Sequence, residues 1–298
     1  MQEHIEAVQR MQDYIREHLY EEISITQLAE VSLFSPWHAR RLFLEYTGLT
    51  PAEYIRKLRL RETALRLRDG EDRVVDVALE CGFKSTDGFQ RAFNKEYGHN
   101  PKAYATSPVP LKLFTPYGVK FKFVKSGDRR LSSTRKVFLQ VISKPERKVI
   151  VKRGIAAKDY WTYCEEIGCD VWGILTSIRS ISGEPVCLWL PEQYIIPGTS
   201  VYVQGVEVDS QYDGVVPDGF DVLEFPAAKY LMFQGEPFSE EDYELAIKEI
   251  EDAIEKYDPS LIGFQWDNTN PRIQLEPIGS RGYIELVAIC QVDGDILR

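Results

Sequence analysis

The first third of the chain contains one pattern twice, and this repeat constrains its fold more than any other feature. The matched residues lie 49 or 50 positions apart and are Ala29 with Ala78, Phe34 with Phe83, Arg41 with Arg91, Phe43 with Phe93, Gly48 with Gly98, Pro51 with Pro101 and Tyr54 with Tyr104. Self-similarity at a fixed spacing indicates one supersecondary unit that is built more than once. The sequence therefore predicts two copies of a single small motif.

Capping residues mark the helices of these copies. Ser24 with Gln27 and Thr50 with Glu53 have the spacing of capping boxes, and Pro51 stands at a first helical position. PWHARRLFLEY and TDGFQRAFNKEY then read as the second helices of two helix-turn-helix units. In such a unit the second helix enters the major groove of DNA.

Charge is distributed unevenly along the chain. Residues 1–108 carry a net charge of -2, residues 109–136 carry +7, and residues 137–298 carry -15. This partition suggests domains with different partners, and together with the helix-turn-helix repeat it predicts a DNA-binding domain over 1–108, a basic linker over 109–136 and an acidic domain over 137–298. Prolines support the linker, within which GVKFKFVK could form a short hairpin.

The acidic part also contains a repeat. SKPERKVIVKRGIAAKDYWTYCEEI, PVCLWLP and SVYVQGVEV correspond in order to EFPAAKYLMFQGEPFSEEDYELAIKEI, PRIQLEP and GYIELVAIC. Each copy reads strand, helix, strand, strand. The predicted fold is an all-α tandem helix-turn-helix domain followed by an α+β domain of two such repeats. Two halves side by side leave a groove at their pseudo-twofold axis, where small ligands commonly bind.

A single charged residue interrupts the last strand of the second copy. In GYIELVAI both faces of the strand are otherwise apolar, so the strand is expected to be buried with Glu285 inside it. A buried carboxylate needs a partner, because removing its charge from water is unfavourable. We expect this partner to be a ligand cation, with a tyrosine hydroxyl or trapped water in its place when the site is empty. Alignment of the two copies places Val203 at the equivalent position.

Aromatic residues are available to surround such a ligand. If residues 158–176 form one helix, Trp161, Glu165, Gly168 and Trp172 make a stripe along it. Taken singly, each candidate aromatic is as consistent with a core position as with a ligand contact. The candidates are Trp161, Trp172, Tyr202, Tyr283 and Trp266.

The first repeat resembles a known family. SPWHARRLF, PAEYIRKLRLRETALRL and GFKSTDGFQRAFNKEYGHNPKAY are similar to the tandem DNA-binding domain of AraC/XylS-type bacterial transcription regulators. The resemblance implies promoter DNA and RNA polymerase as partners, in the bacterial cytoplasm. The residues that it places in the two major grooves are Trp37, His38, Arg40, Arg41, Ser85, Thr86, Asp87, Gln90 and Arg91. Leu33 departs from the pattern, because glycine is common at that turn.

Some of these contacts have alternatives. Trp37 could pack in the core, although a residue that follows a Ser-Pro cap is expected to face solvent. Arg41 and Arg91 could be merely solvated, but their recurrence at matched positions favours a role in the groove. Asp87 would repel phosphate and would suit cytosine.

The second repeat resembles the GyrI-like effector-binding domain, which also occurs fused to multidrug-responsive regulators. GYIEL is the most specific part of this similarity. The resemblance implies that Glu285 lies at the floor of an aromatic site for a lipophilic, cationic small molecule. Two alternatives remain at this point: a hydrolase of small electrophiles, with Glu285 as base and Tyr283 or Tyr202 as positioner, and a protein-binding inhibitor module.

Other classes are not indicated. No apolar run approaches the length of a membrane span, and the four histidines, at positions 4, 18, 38 and 99, show no metal-ligand spacing. Five cysteines without a CxxC pair predict reduced thiols, neither disulfides nor a zinc site. We therefore expect no metal, no cofactor, no catalytic residues and no membrane segment.

Overall fold

A computed structural model describes residues 2–70, 73–119, 136–168 and 170–292. The chain divides into two compact units, Met1–Lys125 and Ser126–Arg298, which we call the helical unit and the sheet unit. Among the described residues, no helix has the length and apolar character needed to span a bilayer.

The helical unit follows the predicted plan. Its helices are α1 (Gln2–Glu17), α2 (Ile25–Ser32), α3 (Pro36–Thr47), α4 (Pro51–Asp69), α5 (Val74–Glu80), α6 (Thr86–Tyr97) and α7 (Pro101–Thr106). Both predicted capping boxes are confirmed. The side chains of Ser24 and Thr50 accept from the backbone N–H of Gln27 and Glu53, and the side chains of Gln27 and Glu53 accept in return from the backbone N–H of the two cap residues. Helix α4 joins the two cores: its Leu58 packs with Phe43, and its Leu60 packs in the cluster of Phe93.

The two turns use different residues for one backbone conformation. Leu33 is left-handed, with φ 63° and ψ 27°, and its counterpart Gly82 has φ 82°. Glycine is favoured at 82 by this positive φ, and a Cβ there would also lie 2.8 Å from the Arg59 Cζ atom, whose guanidinium donates to the Gly82 carbonyl at 2.8 Å. Arg59 also donates to the carbonyls of Leu19 and Glu21, at 2.8 and 2.5 Å. Leu33 takes the left-handed conformation with its side chain 80% exposed.

The first part of the predicted linker belongs to the helical unit. Leu111 and Leu113 are buried in the core of the second helix-turn-helix unit, and Val119 is buried in the first. The amide of Gln12 donates to the Tyr117 carbonyl at 3.1 Å, and its oxygen accepts from the Val119 N–H at 2.9 Å. A linker beginning at residue 109 is therefore wrong, because apolar residues in this segment fill gaps between the helices. The predicted hairpin extends past residue 119, outside the described residues.

The sheet unit contains three helices and nine strands among its described residues. The elements are β1 (Phe138–Lys144), β2 (Arg147–Arg153), α8 (Tyr160–Ile167), α9 (Asp170–Ser177), β3 (Pro185–Trp189), β4 (Tyr202–Asp209), β5 (Asp221–Phe225), β6 (Ala228–Gln234), α10 (Tyr243–Lys256), β7 (Phe264–Trp266), β8 (Arg272–Leu275) and β9 (Ile284–Gln291). The single helix predicted over 158–176 is wrong. Gly168, with φ 87° and ψ 159°, ends α8 and separates it from α9.

The strands form one antiparallel sheet in the order β1-β6-β9-β8-β3-β4-β2-β5, with β7 paired to β9. Each repeat supplies the predicted strand, helical segment, strand and strand, and each also has an additional first strand. That first strand pairs with the other repeat: β1 pairs with β6, and β5 pairs with β2. The exchange ties the two halves together at both edges of the sheet, and β3 pairs with β8 at its centre.

The two faces of the sheet are covered differently. One face is an apolar core that includes Val149, Leu188, Val203 and Leu286. The opposite face, which we call the helix-bearing face, packs against α8, α9 and α10. Glu285 lies on the helix-bearing face, because it alternates along β9 with the core residues Ile284 and Leu286.

Strand register corrects the predicted equivalence between the repeats. Glu285 pairs with Phe233, and Gln204 pairs with Lys152. Lys152 and Phe233 occupy matching positions in the aligned segments RKVIVKRG and AKYLMFQG, so the counterpart of Glu285 is Gln204. The choice of Val203 is wrong by one residue, and one residue along a strand moves a side chain to the opposite face.

Candidate nucleic-acid interface and candidate ligand site

Helix α3 presents a row of large side chains to solvent. Its buried residues Ala39, Leu42 and Phe43 hold the helix against the core. On the other side, Trp37 is 73% exposed, and the Arg41 Cζ atom lies 5.5 Å from the centre of its ring. Arg40 is also exposed. The prediction that Trp37 faces solvent is confirmed, and the guanidinium of Arg41 restricts where its ring can point.

His38 lies beside this row and not within it. Its ring stacks on Phe34 at 4.7 Å and lies 5.8 Å from the ring of His4. The Nε2 atom is buried and has no hydrogen-bond partner in the part of the chain that the structure describes. His38 also contacts Trp37 edge-on at 6.4 Å, so it supports the base of the exposed tryptophan.

Helix α6 repeats this arrangement with smaller side chains. Phe89 and Phe93 are buried, and the Ser85 hydroxyl caps the helix by accepting from the Gly88 N–H at 3.1 Å. Thr86 is half-buried. The exposed predicted residues are Ser85, Asp87, Gln90 and Arg91. Polar side chains and one guanidinium on the first turns of a second helix are suited to contacts with base edges and phosphates.

These features define a class. Two helix-turn-helix units share one long helix, and each presents the outer side of its second helix to solvent. Residues 28–107 match the helix-turn-helix domain model HTH_18. Over 101 residues the chain is 34% identical to the regulatory protein SoxS of Salmonella typhimurium, a match that covers 34% of this chain and 94% of SoxS. The chain belongs to the AraC-type family of helix-turn-helix transcription regulators.

Two further comparisons cover a similar share of the chain. An uncharacterised helix-turn-helix regulator of Bacillus subtilis, YbfP, is 40% identical over 109 residues, which span 37% of this chain and 36% of that protein. The DNA-binding domain of AdpA, solved in complex with a target DNA, is 26% identical with a TM-score of 0.33, and the match covers 34% of this chain and 91% of that domain. The chain thus spans about a third of the length of YbfP, and the matched share is similar in each case.

The partner of Glu285 is a residue of the chain itself. The carboxylate is fully buried, and one of its oxygens, Oε2, accepts from Nε of Arg272 on β8 and also forms an ion pair with Nη2 of the same guanidinium. The other oxygen, Oε1, accepts from the Tyr283 hydroxyl at 2.8 Å. The tyrosine hydroxyl agrees with the expectation, whereas a ligand cation as the sole positive partner does not. Burial raises the pKa of the Glu285 carboxyl, although Arg272 and Tyr283 act to lower it.

Arg272 lies between the carboxylate and an aromatic ring. Its Cζ atom is 5.0 Å from the centre of the Trp189 ring, and Trp189 is its partner across the β3–β8 pair. The arginine side chain is 32% exposed, while the glutamate side chain is fully buried. The guanidinium therefore occupies the position from which a cation would approach Glu285.

Aromatic residues extend from both sides of this ion pair. On one side Tyr243 of α10 lies 6.4 Å from Tyr283 and 6.4 Å from Trp161. On the other side Tyr202 lies 5.1 Å from Trp189, and it shares a buried cluster with Trp172. Burial raises the pKa of the Tyr202, Tyr243 and Tyr283 phenols well above the ordinary range. These hydroxyls therefore stay protonated.

Two buried polar atoms near this cluster lack partners. The Tyr202 hydroxyl and the amide oxygen of Gln204 are buried, and neither has a hydrogen-bond partner among the described residues. The Cys187 thiol lies beside the Tyr202 hydroxyl, but a thiol is a weak hydrogen-bonding group. Buried polar groups are usually satisfied, so such atoms indicate a place where water or a ligand completes the structure.

The structure brings most of the predicted ligand residues to one face. Glu285 lies on β9 and Tyr202 on β4, Tyr283 directly precedes β9, and Trp161 and Trp172 belong to the helices that cover this face. Trp266 is more distant: it pairs with Ile289 and contacts Phe233 at 6.5 Å. The sequence analysis missed Arg272, Trp189 and Tyr243. A signal for Arg272 was present, because it is a charged residue in the short strand RIQL, as Glu285 is in its own strand.

A second buried carboxylate shows the opposite electrostatic balance. Glu207 faces the apolar core side of the sheet and is fully buried. Its Oε1 accepts from Arg147 at 2.6 Å and its Oε2 from Lys144 at 2.5 Å, while Arg147 also donates to the Tyr230 hydroxyl at 3.0 Å. Although burial alone would raise the pKa of the Glu207 carboxyl, Lys144 and Arg147 lower it below its ordinary value. Within the part of the chain that the structure describes, two cations compensate Glu207, whereas Glu285 has one.

Proposed function

We propose that this regulator binds double-stranded promoter DNA through α3 and α6 and responds to a lipophilic cation bound on the helix-bearing face of the sheet unit. In this proposal the sheet unit is a GyrI-like effector-binding domain, and the DNA-bound chain acts on RNA polymerase. The observation that carries the proposal is the row of exposed side chains at matched positions on the two second helices.

The DNA contacts follow from those positions. Trp37, Arg40 and Arg41 form the first contact set, in which Arg41 can reach a guanine edge or a phosphate and Trp37 offers an apolar surface to a thymine methyl group. Asp87, Gln90 and Arg91 form the second set with the hydroxyls of Ser85 and Thr86. His38 contributes by holding Trp37.

The ligand site is supported by chemistry of a different kind. The helix-bearing face combines a buried carboxylate, several phenols that keep their protons, and buried polar atoms without protein partners. Aromatic faces attract cations, and a carboxylate strengthens that preference. The proposed contacts are Glu285, Tyr283, Trp161, Trp172, Tyr202 and Trp266.

The hydrolase alternative has less support from the geometry. A general base needs a free oxygen within reach of the proton that it removes. Both oxygens of Glu285 accept hydrogen bonds, one from Arg272 and one from Tyr283. We therefore assign Glu285 to ligand recognition and not to proton transfer.

Titration of the full chain tests the proposal. The DNA probes for a gel shift are duplexes that the chain retains from a random pool. The ligand probes are tetraphenylphosphonium, a lipophilic cation, and triphenylphosphine oxide, a neutral analogue. We expect saturable quenching of tryptophan fluorescence by tetraphenylphosphonium and a change in DNA affinity or in the position of the shifted band. Retention of no specific DNA would contradict the first half of the proposal, and absence of quenching would contradict the second.

A further inference from the structure

We propose that Arg272 is an internal competitor for cationic ligands and that it determines how strongly the site discriminates between cations and neutral molecules. The inference rests on the proposed ligand site of the sheet unit and goes beyond it, because it assigns the selectivity of that site to one residue.

Geometry is the first argument. The guanidinium of Arg272 contacts the Glu285 carboxylate through two nitrogens and covers the face of Trp189 at 5.0 Å. A carboxylate beside an aromatic face is what a ligand cation would use. Arg272 already uses both, so a cation must displace the guanidinium before it can occupy that place.

Exposure is the second argument. Glu285 is fully buried, whereas the Arg272 side chain is 32% exposed. The Nη2 atom of Arg272 is buried and has no hydrogen-bond partner among the described residues, so an outward swing of the side chain would hydrate that nitrogen while the strand stays paired, but the carboxylate cannot follow it. Displacement exchanges one cation for another at Glu285, and it succeeds only when the entering cation gains more from the surrounding aromatic residues than Arg272 loses. A neutral ligand has no need of this exchange.

The third argument is the contrast between the two buried carboxylates. The cation of Arg147 beside Glu207 is fully buried and is held by a further bond to Tyr230. Among the described residues, the side-chain acceptor of Arg272 is Glu285, and Trp189 is its other contact. Release of Arg147 would take a donor from the Tyr230 hydroxyl as well as from Glu207, whereas release of Arg272 takes a side-chain donor from Glu285 alone.

The test compares affinities for tetraphenylphosphonium and triphenylphosphine oxide in the full chain, by tryptophan quenching. The measured quantity is the ratio of the two dissociation constants. In Arg272→Met we expect the ratio to move at least tenfold toward the cation, because Glu285 is then free while Met keeps much of the side-chain volume. A merely structural role would change both affinities alike and leave the ratio constant.

Two control variants make the result specific. Arg153→Met removes the same charge from an arginine that pairs with Asp221 at 2.7 Å and lies on the opposite face of the sheet, so it should leave the ratio unchanged. Adding Glu285→Gln to Arg272→Met should abolish the gain. If Arg272→Met fails to fold, Arg272→Lys carries the test, because an ammonium cannot reproduce the two-nitrogen contact and should shift the ratio in the same direction.

The outcomes separate the two proposals. An unchanged ratio in a folded Arg272 variant, or an equal shift in Arg153→Met, would overturn the role of Arg272 and leave the ligand site standing. If neither compound binds to the wild type or to any folded variant, the ligand site itself is wrong, and the inference is overturned with it.

Discussion

Removing Arg272 should destabilise the sheet unit more than removing the charge of Glu285. The two changes break the same ion pair but leave different residues behind. Arg272→Met leaves a carboxylate that is fully buried, whereas Glu285→Gln leaves a guanidinium on a side chain that is 32% exposed and can be hydrated. The difference between these two costs follows from the burial of each partner.

Magnitudes can be assigned to both changes. Loss of one partner that leaves an uncompensated buried charge costs about 3 to 5 kcal/mol. Glu285→Gln keeps an oxygen that accepts from Arg272 or Tyr283, so it loses mainly the extra strength that the negative charge gives to these hydrogen bonds. Because water solvates part of the Arg272 side chain, we expect this loss to cost about 1 to 2 kcal/mol. The cost of Arg272→Met should shrink as the pH falls, because a carboxyl whose folded pKa is raised binds its proton more readily in the folded than in the unfolded state.

Urea denaturation of the full chain measures both costs. Trp37 is the one tryptophan outside the sheet unit, so tryptophan fluorescence reports mainly on that unit. Arg153→Met is the control and should cost about 1 to 2 kcal/mol: it leaves Asp221, whose side chain is 49% exposed, in contact with water, and it also removes the donor to the Tyr194 carbonyl. If Glu285→Gln proves as costly as Arg272→Met, or if the cost of Arg272→Met does not depend on pH, the reasoning from burial is refuted.

Three other perturbations test separate parts of the structure. Leu33→Gly should stabilise the helical unit by about 0.5 to 1 kcal/mol in a denaturation followed by circular dichroism, because it relieves a left-handed conformation, and a loss of stability would contradict this. Arg41→Ala and Arg91→Ala should each weaken specific DNA binding by about 1 to 3 kcal/mol if the arginine contacts a base, or lower the salt slope by about one if it contacts phosphate, whereas Arg16→Ala on α1 should do neither in the same gel shifts. The stabilising contribution of Glu207, whose folded pKa is lowered, should be present above its unfolded pKa and be lost as the pH falls below that value, so Glu207→Gln should flatten the acid side of the stability profile.

Much of the helical unit could be predicted because its signals are local. Capping boxes, a proline at a first helical position and glycines after helix ends are each recognised within a few residues, and the repeat checks one copy against the other. The same logic explains Leu33, since its counterpart Gly82 shows that the position needs a left-handed residue. The packing of Leu111 and Leu113 could not be predicted, because it depends on a gap between helices that no local pattern describes.

The sheet unit was harder because its decisive contacts are distant in sequence. The strand order and the exchange of the first strands depend on pairings between repeats, such as β1 with β6. Glu285 was recognised as a buried charge in a strand, but its partner Arg272 could be assigned only from the pairing of β8 with β9. The wrong equivalence at Val203 has the same origin, since face and register are properties of the assembled sheet.

The central claim is that two recognition helices on one chain read DNA together. Selection of bound duplexes from a random pool by the full chain, followed by hydroxyl-radical footprinting of the retained sequence, tests this claim most directly. The account predicts an asymmetric site with two protected major-groove segments about one helical turn, roughly 34 Å, apart, and loss of one segment in each of Arg41→Ala and Arg91→Ala. A twofold-symmetric site, a single protected segment, or a footprint that both variants leave intact would contradict it.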